Sequence, residues 1–352
     1  MTADASPTAI APTLDALSVV IPVFNERDWI RVSVAALFEA ARNADIRVDV
    51  VVVDDGSTDG TSDILDEMAG ETGIRVCHQA NTGRFAARAA GLAQAQEPWV
   101  MLLDSRVTLE PAGLAWLRNH LVEHPDRRAW CGHVDVETVG SIYAGFWSGL
   151  VKVGWRRYMA HPRLVSFGSE EFDYYPKGTT CFFMERAALQ AAIGGFESMY
   201  GDPKLSSDDT RLLRDVAGNQ RIWLSPDFRC TYHAKSGARG FVRQSYFRGT
   251  TFVDGYLGQP GPLRRALVAA IGALPVLALV ALRRPKIGAS AVAVGLAAVP
   301  AAVRLSGGTS DEVRAAALLT PVFVPLFGAG VLRGLALAAV ARRRGRRRPT
   351  RP

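Results

Sequence analysis

The sequence predicts an α/β protein in which an open, mostly parallel sheet flanked by helices is followed by membrane helices. Short apolar runs rich in β-branched residues alternate with amphipathic helical patterns from residue 17 to about residue 121. This alternation is typical of open parallel sheets, which bind ligands at the carboxyl ends of their strands. From Leu263 onward the chain consists mainly of Ala, Val, Leu and Gly, which indicates a segment with a different environment.

Four short apolar runs are the predicted strands of the first part of the chain. A continuous apolar run suits a strand that is buried on both faces of a parallel sheet. The predicted strands span residues 17–23, 48–53, 74–78 and 99–103, and the predicted helices span residues 28–42 and 84–96, with a further helix opened by Pro111. Ser57 or Thr58 is the expected cap of the helix after the second strand.

Beyond residue 129 the alternation is less regular. Residues 179–184 and 221–224 are strand candidates, and residues 208–217 are a helix candidate. We therefore expect one large domain over residues 17–260, with a first half over residues 17–128 and a second half over residues 129–260. Residues 1–16 lack the basic and apolar regions of a signal peptide and are expected to be a disordered lead-in.

The positive charge of the chain is concentrated at its end. The net charge is +7, and the tail over residues 341–352 alone contains seven Arg. Because this tail follows an apolar segment, we expect it to face anionic lipid on the cytoplasmic side of a membrane. Nucleic-acid binding is not expected, since no basic face with interleaved aromatic residues is visible. The four cysteines are far apart and form no C-x-x-C, which argues against a zinc site or a disulfide framework.

Acidic and amide side chains follow the predicted strands at their carboxyl ends. Asn25 and Glu26 follow the first strand, Asp54 and Asp55 the second, and Asp104 the fourth. Such carboxylates can accept hydrogen bonds from a nucleobase or a ribose, and one of them can hold a cation that bridges a diphosphate. The sequence has no G-x-G-x-x-G or Walker A motif after the first strand, which excludes a glycine-rich phosphate loop. The alternative is that Asp-Gly-Ser-Thr-Asp is only a turn with a helix cap.

Four motifs occur in a characteristic order: VVIPVFNER, VVVVDDGSTDGT, NTGRFAARAAG and VMLLDSRV. As a set they resemble the donor-binding half of family-2 glycosyltransferases, which have the GT-A fold, over about residues 17–121. The resemblance implies that the first half of the domain binds a nucleotide sugar and the second half the acceptor. It implies two groups of donor-site residues: Pro22, Asn25, Glu26, Asp54 and Asp55 line the nucleoside site, and Asn81, Gly83 and Arg88 shape the loop and helix beneath the base or phosphates. The alternative for Arg88 is a solvated helix residue.

The chain departs from the family at the end of the fourth strand. The family usually shows Asp-x-Asp, whereas this chain has Asp104-Ser105-Arg106, so two motif carboxylates cannot coordinate a metal here. In one hypothesis Asp104 still binds Mn²⁺ or Mg²⁺, helped by His233, which resembles the position where related enzymes place a histidine. In the other, the Arg106 guanidinium offsets the diphosphate charge instead of a metal. We favour the metal, although a single histidine is more often structural.

The segment Ser206-Ser207-Asp208-Asp209 resembles the acidic acceptor-side motif of the family, which is usually Glu-Asp at the start of a helix. An inverting transferase needs one general base to deprotonate the acceptor hydroxyl. The match implies that Asp209 is this catalytic base, with Asp208 next in line, and a helix N-terminus stabilises a carboxylate as the anion. The alternative is that these residues form only an N-cap and a first turn.

The later segment FVRQSYFRG weakly resembles the Gln-x-x-Arg-Trp element of processive family members. By this match Gln244 and Arg248 contact the diphosphate or the acceptor. Gly249 stands where the family has Trp, which argues against processivity. The alternative is a basic amphipathic helix on the membrane surface, with three aromatic side chains towards the lipid: Phe241, Tyr246 and Phe247.

Three apolar stretches lie within the membrane-associated segment over residues 261–340, at residues 263–282, 287–305 and 313–340. Each has close to or more than the roughly 20 residues that span a bilayer. A buried soluble helical subdomain is the alternative. Three full spans would place the arginine-rich tail outside, against the positive-inside rule. We therefore expect the first stretch, interrupted near Pro275, to be interfacial or re-entrant. The second stretch should then cross the membrane, so that residues 306–310 face outward and the third stretch returns to the inside.

The sequence thus predicts an inverting glycosyltransferase that is attached to the inner or plasma membrane with its catalytic domain in the cytoplasm. The expected partners are a nucleotide-sugar donor, first of all a UDP-sugar, a lipid-linked or envelope glycan acceptor and membrane lipids. Two alternatives stay open. One is a transferase that adds the sugar to polyprenyl phosphate, and the other is a degenerate, non-catalytic membrane scaffold.

Overall fold

The computed structural model describes residues 13–196, 198–205, 207–235, 237–259 and 261–346. Within these ranges the side chains of Pro203, Asp208, Asp209, Leu274, Ala278 and residues 344–346 lie outside the description. The expectations for residues 1–12 of the lead-in and for residues 347–352 of the tail therefore concern residues outside the described ranges.

The described part of the chain forms an open sheet with helices on both sides, followed by three long helices. The strands are β1 Ala16–Val23, β2 Arg47–Asp54, β3 Arg75–His78, β4 Trp99–Leu103, β5 Val107–Leu109, β6 Ala129–Val136, β7 Val165–Phe167, β8 Cys181–Glu185 and β9 Ile222–Tyr232. The helices are α1 Ile30–Ala44, α2 Thr61–Thr72, α3 Arg84–Gln94, α4 Gly113–Glu123, α5 Ile142–Gly154, α6 Arg156–Met159, α7 Arg186–Gly194, α8 Asp208–Asn219, α9 Ala238–Tyr256, α10 Pro262–Arg283, α11 Pro285–Leu305 and α12 Ser310–Arg346. Two 3₁₀ turns lie at Phe172–Tyr174 and Pro203–Leu205.

The strand order is β3-β2-β1-β4-β8-β6-β9-β5, and β7 also pairs with β9. The first four of these strands are mutually parallel. Pairing beyond β4 is mixed, because β4–β8, β8–β6, β9–β5 and β9–β7 are antiparallel while β6–β9 is parallel. The predicted α/β fold is thus confirmed, and the fully parallel part is the half for which the sequence pattern was regular.

The register of the parallel strands brings their carboxyl ends to one level. Val23 of β1 lies opposite Asp54 of β2, and Asp54 lies opposite His78 of β3. β1 and β4 are buried along almost their whole length, as their continuous apolar runs require. The polar residues that follow these strands therefore meet at a common edge of the sheet.

The predicted cap of α2 is wrong. The helix begins at Thr61, and the backbone N–H of Thr61 donates to the Asp59 carboxylate at 3.0 Å. Ser57 instead accepts a hydrogen bond from the Asn25 backbone N–H at 3.0 Å. The competing partner is 32 residues away in sequence, which local helix signals cannot reveal.

The lead-in is shorter than predicted. Leu14 is buried in the core beneath β1, and Arg118 of α4 donates to the Asp15 carboxylate at 2.9 Å. Residues 14–16 therefore belong to the domain, because an apolar side chain and an ion pair hold them against it.

The three C-terminal helices are long and apolar enough to cross a membrane, judged by length and composition. α10 packs against α11, and α11 packs against α12. α12 also runs along α5 and α9 of the sheet domain. Phe323 of α12 contacts the rings of Phe146 and Trp147 on α5, and Ala315 lies against Gly145.

The turn between α11 and α12 lies on the side of the sheet domain. Glu312, which is almost fully buried, accepts hydrogen bonds from Ser148 and from Lys152 of α5, the latter at 2.7 Å. Val303 of α11 lies against Gly149 of α5. A buried ion pair therefore ties the start of α12 to α5, which argues against the expectation that residues 306–310 face outward across the membrane.

The aromatic side chains of α9 do not form one lipid-facing row. Phe241 is 2% exposed and packs against Phe146 and Trp147 of α5. Tyr246 is exposed, with the Arg333 guanidinium of α12 5.6 Å from the centre of its ring. The surface-helix interpretation of α9 is therefore wrong for Phe241, which belongs to the contact with α5.

The crossing of α9 and α12 depends on glycine. A Cβ added to Gly330 would lie 2.1 Å from the Tyr246 carbonyl oxygen, whereas a Cβ added to Gly328 would meet nothing within 4 Å. We expect Gly330→Ala to destabilise the chain by about 1–3 kcal/mol, because the helices cannot move apart without losing their contact. Thermal unfolding in detergent measures this effect, with Gly328→Ala on the same helix as the matched control. Equal melting temperatures of the two variants would contradict the importance of this crossing.

Candidate active site

A cavity of about 340 Å³ opens at the carboxyl ends of β1, β2 and β4. Seven of the residues singled out from the sequence line it: Pro22, Glu26, Asp55, Asn81, Gly83, Asp104 and Arg106. Asn25, Asp54, Arg88 and His233 are not part of its lining. The predicted donor residues thus separate into a group that lines the cavity and a group that supports it.

Asp54 supports the cavity from below. It is 1% exposed, and its carboxylate accepts hydrogen bonds from the Ser57 backbone N–H, the Ser62 hydroxyl and His78 Nδ1. Burial by itself raises the pKa of Asp54, but these hydrogen bonds outweigh it and lower the pKa. Asp54 therefore stays an anion that fixes the turn after β2, and its oxygens are engaged away from the cavity.

Asp55 lines the cavity and also shapes the loop before α3. Its Oδ1 accepts from the Thr82 backbone N–H and Gln79 Nε2 at 2.8 Å each, and its Oδ2 accepts from the Gly83 N–H at 2.9 Å. Gly83 has φ of +100°, and a Cβ there would lie 3.0 Å from Lys204. Glycine is needed at this position for both reasons.

Asn25 joins the ends of β1 and β2. Its backbone is left-handed with φ of 56°, which asparagine tolerates better than most residues. Its side-chain oxygen accepts from the Thr58 N–H at 2.8 Å, and its own N–H donates to Ser57. Asn25 is thus engaged by the Asp-Gly-Ser-Thr-Asp turn, which explains why it stands outside the lining.

Arg88 is buried, in contrast to the alternative of a solvated helix residue. Its side chain is 1% exposed, and Nη2 donates to Asp104 Oδ1 at 2.7 Å. Asp104 lines the cavity with its side chain 17% exposed. Arg88 therefore holds the Asp104 carboxylate in place from beneath the cavity.

Glu26 is shared by two cations. Arg106 Nε donates to its Oε2, and Lys235 Nζ donates to its Oε1 at 2.8 Å. The Glu26 side chain is 7% exposed, whereas Arg106 is 15% and Lys235 37% exposed. The Arg106 guanidinium also lies 5.9 Å from the centre of the Trp29 ring. All three charged residues line the cavity.

His233 stands beside this cluster. Its ring stacks on Trp29 with centroids 4.1 Å apart, and its Nε2 lies 3.1 Å from the Thr108 hydroxyl. Its backbone N–H donates to the Arg106 carbonyl at 2.9 Å. Burial lowers the pKa of His233, which favours the neutral ring. These contacts hold the His233 ring beside the segment between β4 and β5 that carries Arg106.

A divalent cation does not fit the side chains that the structure describes. Among them no group of three His, Cys, Asp or Glu residues is placed to hold a metal ion. The three carboxylates in the cavity wall are engaged already: Asp55 by its loop, Asp104 by Arg88, and Glu26 by two cations. The side chains of Asp208 and Asp209 lie outside the description. Metal binding by Asp104 and His233 stays a prediction.

The acceptor-side motif begins a helix as predicted. α8 starts at Asp208, and the Thr210 and Arg211 N–H groups donate to the Ser207 carbonyl. Asp254 of α9, which is 1% exposed, accepts hydrogen bonds from the Ser207 and Met199 N–H groups at 2.7 and 2.8 Å. Asp254 thus fixes the chain that leads into α8, a role that no motif in the sequence indicated.

Gln244 and Arg248 lie on α9 and are absent from the cavity lining. The Arg248 guanidinium lies 4.5 Å from the centre of the Trp147 ring on α5. The structure thus places Arg248 against α5, and its contact with the diphosphate or the acceptor stays a prediction.

Eight lining residues did not figure among the predicted site residues: Val23, Phe24, Arg84, Ala87, Ser105, Lys204, Tyr232 and Lys235. Phe24 and Arg84 stand inside motifs that were recognised, and Lys235 follows His233 by two residues. Lys204 lies in the turn at Pro203–Leu205, which packs against Gly83, and no sequence signal marks it.

The lining has a mixed charge that suits a nucleotide. Four cations, Arg84, Arg106, Lys204 and Lys235, stand with the carboxylates of Glu26, Asp55 and Asp104. Cationic side chains bind phosphate through charge-assisted hydrogen bonds, and carboxylates accept from hydroxyl and N–H groups. Such a wall can hold an anionic group and a polar, hydroxyl-bearing group side by side.

Comparison with known proteins finds a family model that matches part of the chain. Residues 18–182 match the family model described as Glycosyl transferase family 2. The undecaprenyl-phosphate 4-deoxy-4-formamido-L-arabinose transferase of Pseudomonas syringae pv. syringae (strain B728a) is 37% identical over 98 residues, which are 27% of this chain and 29% of that protein. The chain therefore matches less than a third of the length of this curated relative.

Two solved structures are distantly similar. S. aureus TarS 1-349 in complex with UDP-GlcNAc is 16% identical, with a TM-score of 0.48 and coverage of 93% of this chain and 91% of that chain. The mannosyltransferase PcManGT from Pyrobaculum calidifontis in complex with GDP-Man and Mn²⁺ is 17% identical, with a TM-score of 0.49 and coverage of 86% of each chain.

Proposed function

We propose that this chain, whose residues 18–182 match the Glycosyl transferase family 2 model, transfers a sugar from a nucleoside-diphosphate sugar to an acceptor hydroxyl, with inversion at the anomeric carbon. The observation that carries the proposal is the cavity at the strand ends, which combines carboxylates and cations within and around the matched domain. Asp55 and Glu26 suit the polar groups of the nucleoside, and the cations suit the diphosphate.

In the proposed reaction the acceptor oxygen forms a bond to the anomeric carbon while the bond from that carbon to the diphosphate oxygen breaks. The diphosphate leaves with the electron pair, and Asp209 takes the hydroxyl proton. The position of Asp209 at the N-terminal turn of α8 supports an ionised base, because the helix dipole stabilises an anion there. A single displacement of this kind inverts the configuration.

The donor can be tested by calorimetric titration of the detergent-solubilised full chain with UDP and, in parallel, with GDP. Saturable binding of one of them is expected, with a UDP-sugar as the first candidate. Inorganic sulfate is the control ligand, since it separates nucleotide recognition from general anion binding. Folded protein that binds neither nucleotide would contradict the proposal and favour the scaffold alternative.

For the acceptor, we propose a lipid-linked or envelope glycan, and the apolar C-terminal helices support an acceptor at a membrane. A second candidate is polyprenyl phosphate, which the name of the Pseudomonas relative favours. Its nucleophile would be a phosphate oxygen, which needs no strong base. Product formation with bare polyprenyl phosphate, but not with a lipid-linked glycan, would favour this second candidate.

We further propose that α10 and α11 form the membrane attachment as a helical hairpin. The support is their exposed apolar surface, for example Leu282 at 82%, Val294 at 69% and Leu277 at 55%. Their lengths of 22 and 21 residues correspond to about 30 Å each, close to the hydrocarbon thickness. α12 runs along α9, and α9 contains four charged residues: Arg239, Arg243, Arg248 and Asp254. Because charged side chains are costly in the bilayer centre, α12 is better suited to the boundary between membrane and water.

This arrangement predicts the sidedness of residue 310. Ser310→Cys is expected to react with a membrane-impermeant thiol reagent from the same face as Asp126→Cys in the sheet domain. The reason is the buried contact of Glu312 with Ser148 and Lys152. Labelling in intact and inverted vesicles measures it, with a Cys77→Ser background since Cys77 is partly exposed. Labelling of the two positions from opposite faces would contradict the arrangement. Both are expected on the cytoplasmic face.

A further inference from the structure

Arg106 stands two residues after Asp104, at the position where the Asp-x-Asp pattern has its second carboxylate. The substitution changes the charge of the cavity as well as its metal-binding capacity. A carboxylate there would add a second anionic oxygen ligand beside Asp104. The guanidinium adds a positive charge to the same wall, where any cation would meet repulsion.

Glu26 holds Arg106 and Lys235 in place from one side. It accepts one hydrogen bond from Arg106 Nε and one from Lys235 Nζ. Arginine has five N–H donors and lysine has three, so each cation has donors that Glu26 does not use. The His233 carbonyl lies 3.5 Å from Arg106 Nη1, which limits its movement further. Two cations of the cavity wall are therefore preorganised by one buried carboxylate.

The charges around these cations favour an anionic ligand. Glu26 carries one negative charge against the two positive charges of Arg106 and Lys235. Asp104 is compensated by the buried Arg88. Asp55 accepts its hydrogen bonds from the loop at residues 79–83. One positive charge thus remains in the Glu26 cluster, beside Lys204 in the same wall.

We propose that Arg106 and Lys235, braced by Glu26, bind the diphosphate of the donor in place of a divalent metal ion. The proposal rests on the proposed function, because it concerns the diphosphate of the same donor. When the bond from the anomeric carbon to the diphosphate breaks, the electron pair stays on the diphosphate oxygen. The two side chains offset the charge that develops there without a metal.

The experiment is a calorimetric titration of the detergent-solubilised full chain with UDP, and with GDP in parallel, first in excess EDTA and then in Mn²⁺. The expected result is saturable binding with the same Kd in both conditions. Arg106→Gln and Lys235→Gln are each expected to weaken this binding about 10- to 100-fold, as loss of a charged hydrogen bond does. Arg42→Gln on the exposed face of α1 is the matched control and should bind as the wild type does.

Arg106→Asp provides a test in the opposite direction. It places a carboxylate on each side of Ser105, so nucleotide binding should be lost in EDTA and should return in part with Mn²⁺. If this variant does not fold, Lys235→Gln still tests the proposal, because Lys235 is more exposed and its loss leaves Arg106 on Glu26.

The outcomes separate this inference from the proposed function. Wild-type binding that is lost in EDTA and restored by Mn²⁺ would overturn the inference alone and support a metal at Asp104. Binding that both Gln variants retain unchanged would also overturn it. Absence of binding to either nucleotide in both conditions would remove the proposed function and the inference with it.

Discussion

Asp209→Asn is expected to reduce the turnover number by about 10²- to 10⁴-fold, the usual contribution of a general base. The amide has nearly the same size as the carboxylate but cannot take the proton of the acceptor hydroxyl. Donor binding should change little, because a general base acts on the acceptor hydroxyl and not on the nucleotide. Turnover with saturating donor and a titration with the nucleotide diphosphate together measure the two effects.

The matched control is Asp215→Asn, an exposed carboxylate two turns further along α8. It should retain turnover, since it stands outside the cavity lining. If Asp208 is the base instead of Asp209, Asp208→Asn is the variant that loses turnover. Full activity of both Asp208→Asn and Asp209→Asn would contradict a base at the start of α8. It would also strengthen polyprenyl phosphate as the acceptor.

Asp104→Asn is expected to lower the free energy of unfolding by about 1–3 kcal/mol, because it removes the carboxylate that accepts a hydrogen bond from the buried Arg88 guanidinium. Arg88 is 1% exposed, so water cannot replace the lost carboxylate. The double variant Asp104→Leu/Arg88→Met should recover much of this loss, since it removes both charges. Denaturant unfolding in detergent of the wild type, Asp104→Leu, Arg88→Met and the double variant gives the coupling between the two residues, and Asp104→Asn is measured beside them.

A surface ion pair provides the control for this cycle. Arg31 pairs with Glu67 and Glu71 and is 41% exposed, so Arg31→Met should destabilise the chain much less than Asp104→Asn does. An Asp104→Asn variant as stable as Arg31→Met would show that the buried pair is not required for folding. A loss of stability also means that weak nucleotide binding by an Asp104 variant is not by itself evidence for a metal ion. The Arg106 and Lys235 variants avoid this ambiguity.

The parts of the fold that the sequence predicted well are those with local signals. β4 has the predicted bounds, β1 and β3 differ from the prediction by one residue at one end, and β2 is one residue longer at each end. α10 and α11 also match the predicted apolar stretches closely, because long apolar runs identify themselves by composition. The elements β5, β6 and α5 were not predicted. The strands β5 and β6 pair with β8 and β9, which lie far away in the chain. No regular alternation of apolar and polar residues marks these elements in the sequence.

The candidate site was predicted as a set of positions, and the structure divided that set by role. The motif residues at the ends of β1, β2 and β4 converge because parallel strands end at one edge of the sheet. Whether a given side chain faces the cavity depends on its hydrogen-bond partners. The partners of Asp54 are Ser57, Ser62 and His78, which hold its carboxylate away from the cavity, whereas its neighbour Asp55 lines the cavity.

The sequence by itself determined the α/β order of the first half, the acidic ends of its strands and the apolar character of the last three helices. These features follow from residue type and spacing along the chain. Only the tertiary structure decided which charges neutralise one another and on which side the α11–α12 turn lies. The Arg106–Glu26 pair joins residues 80 positions apart, and the Ser148–Glu312 contact joins residues 164 apart. Such contacts arise from packing between distant elements, and they decide both the charge of the cavity and the position of α12.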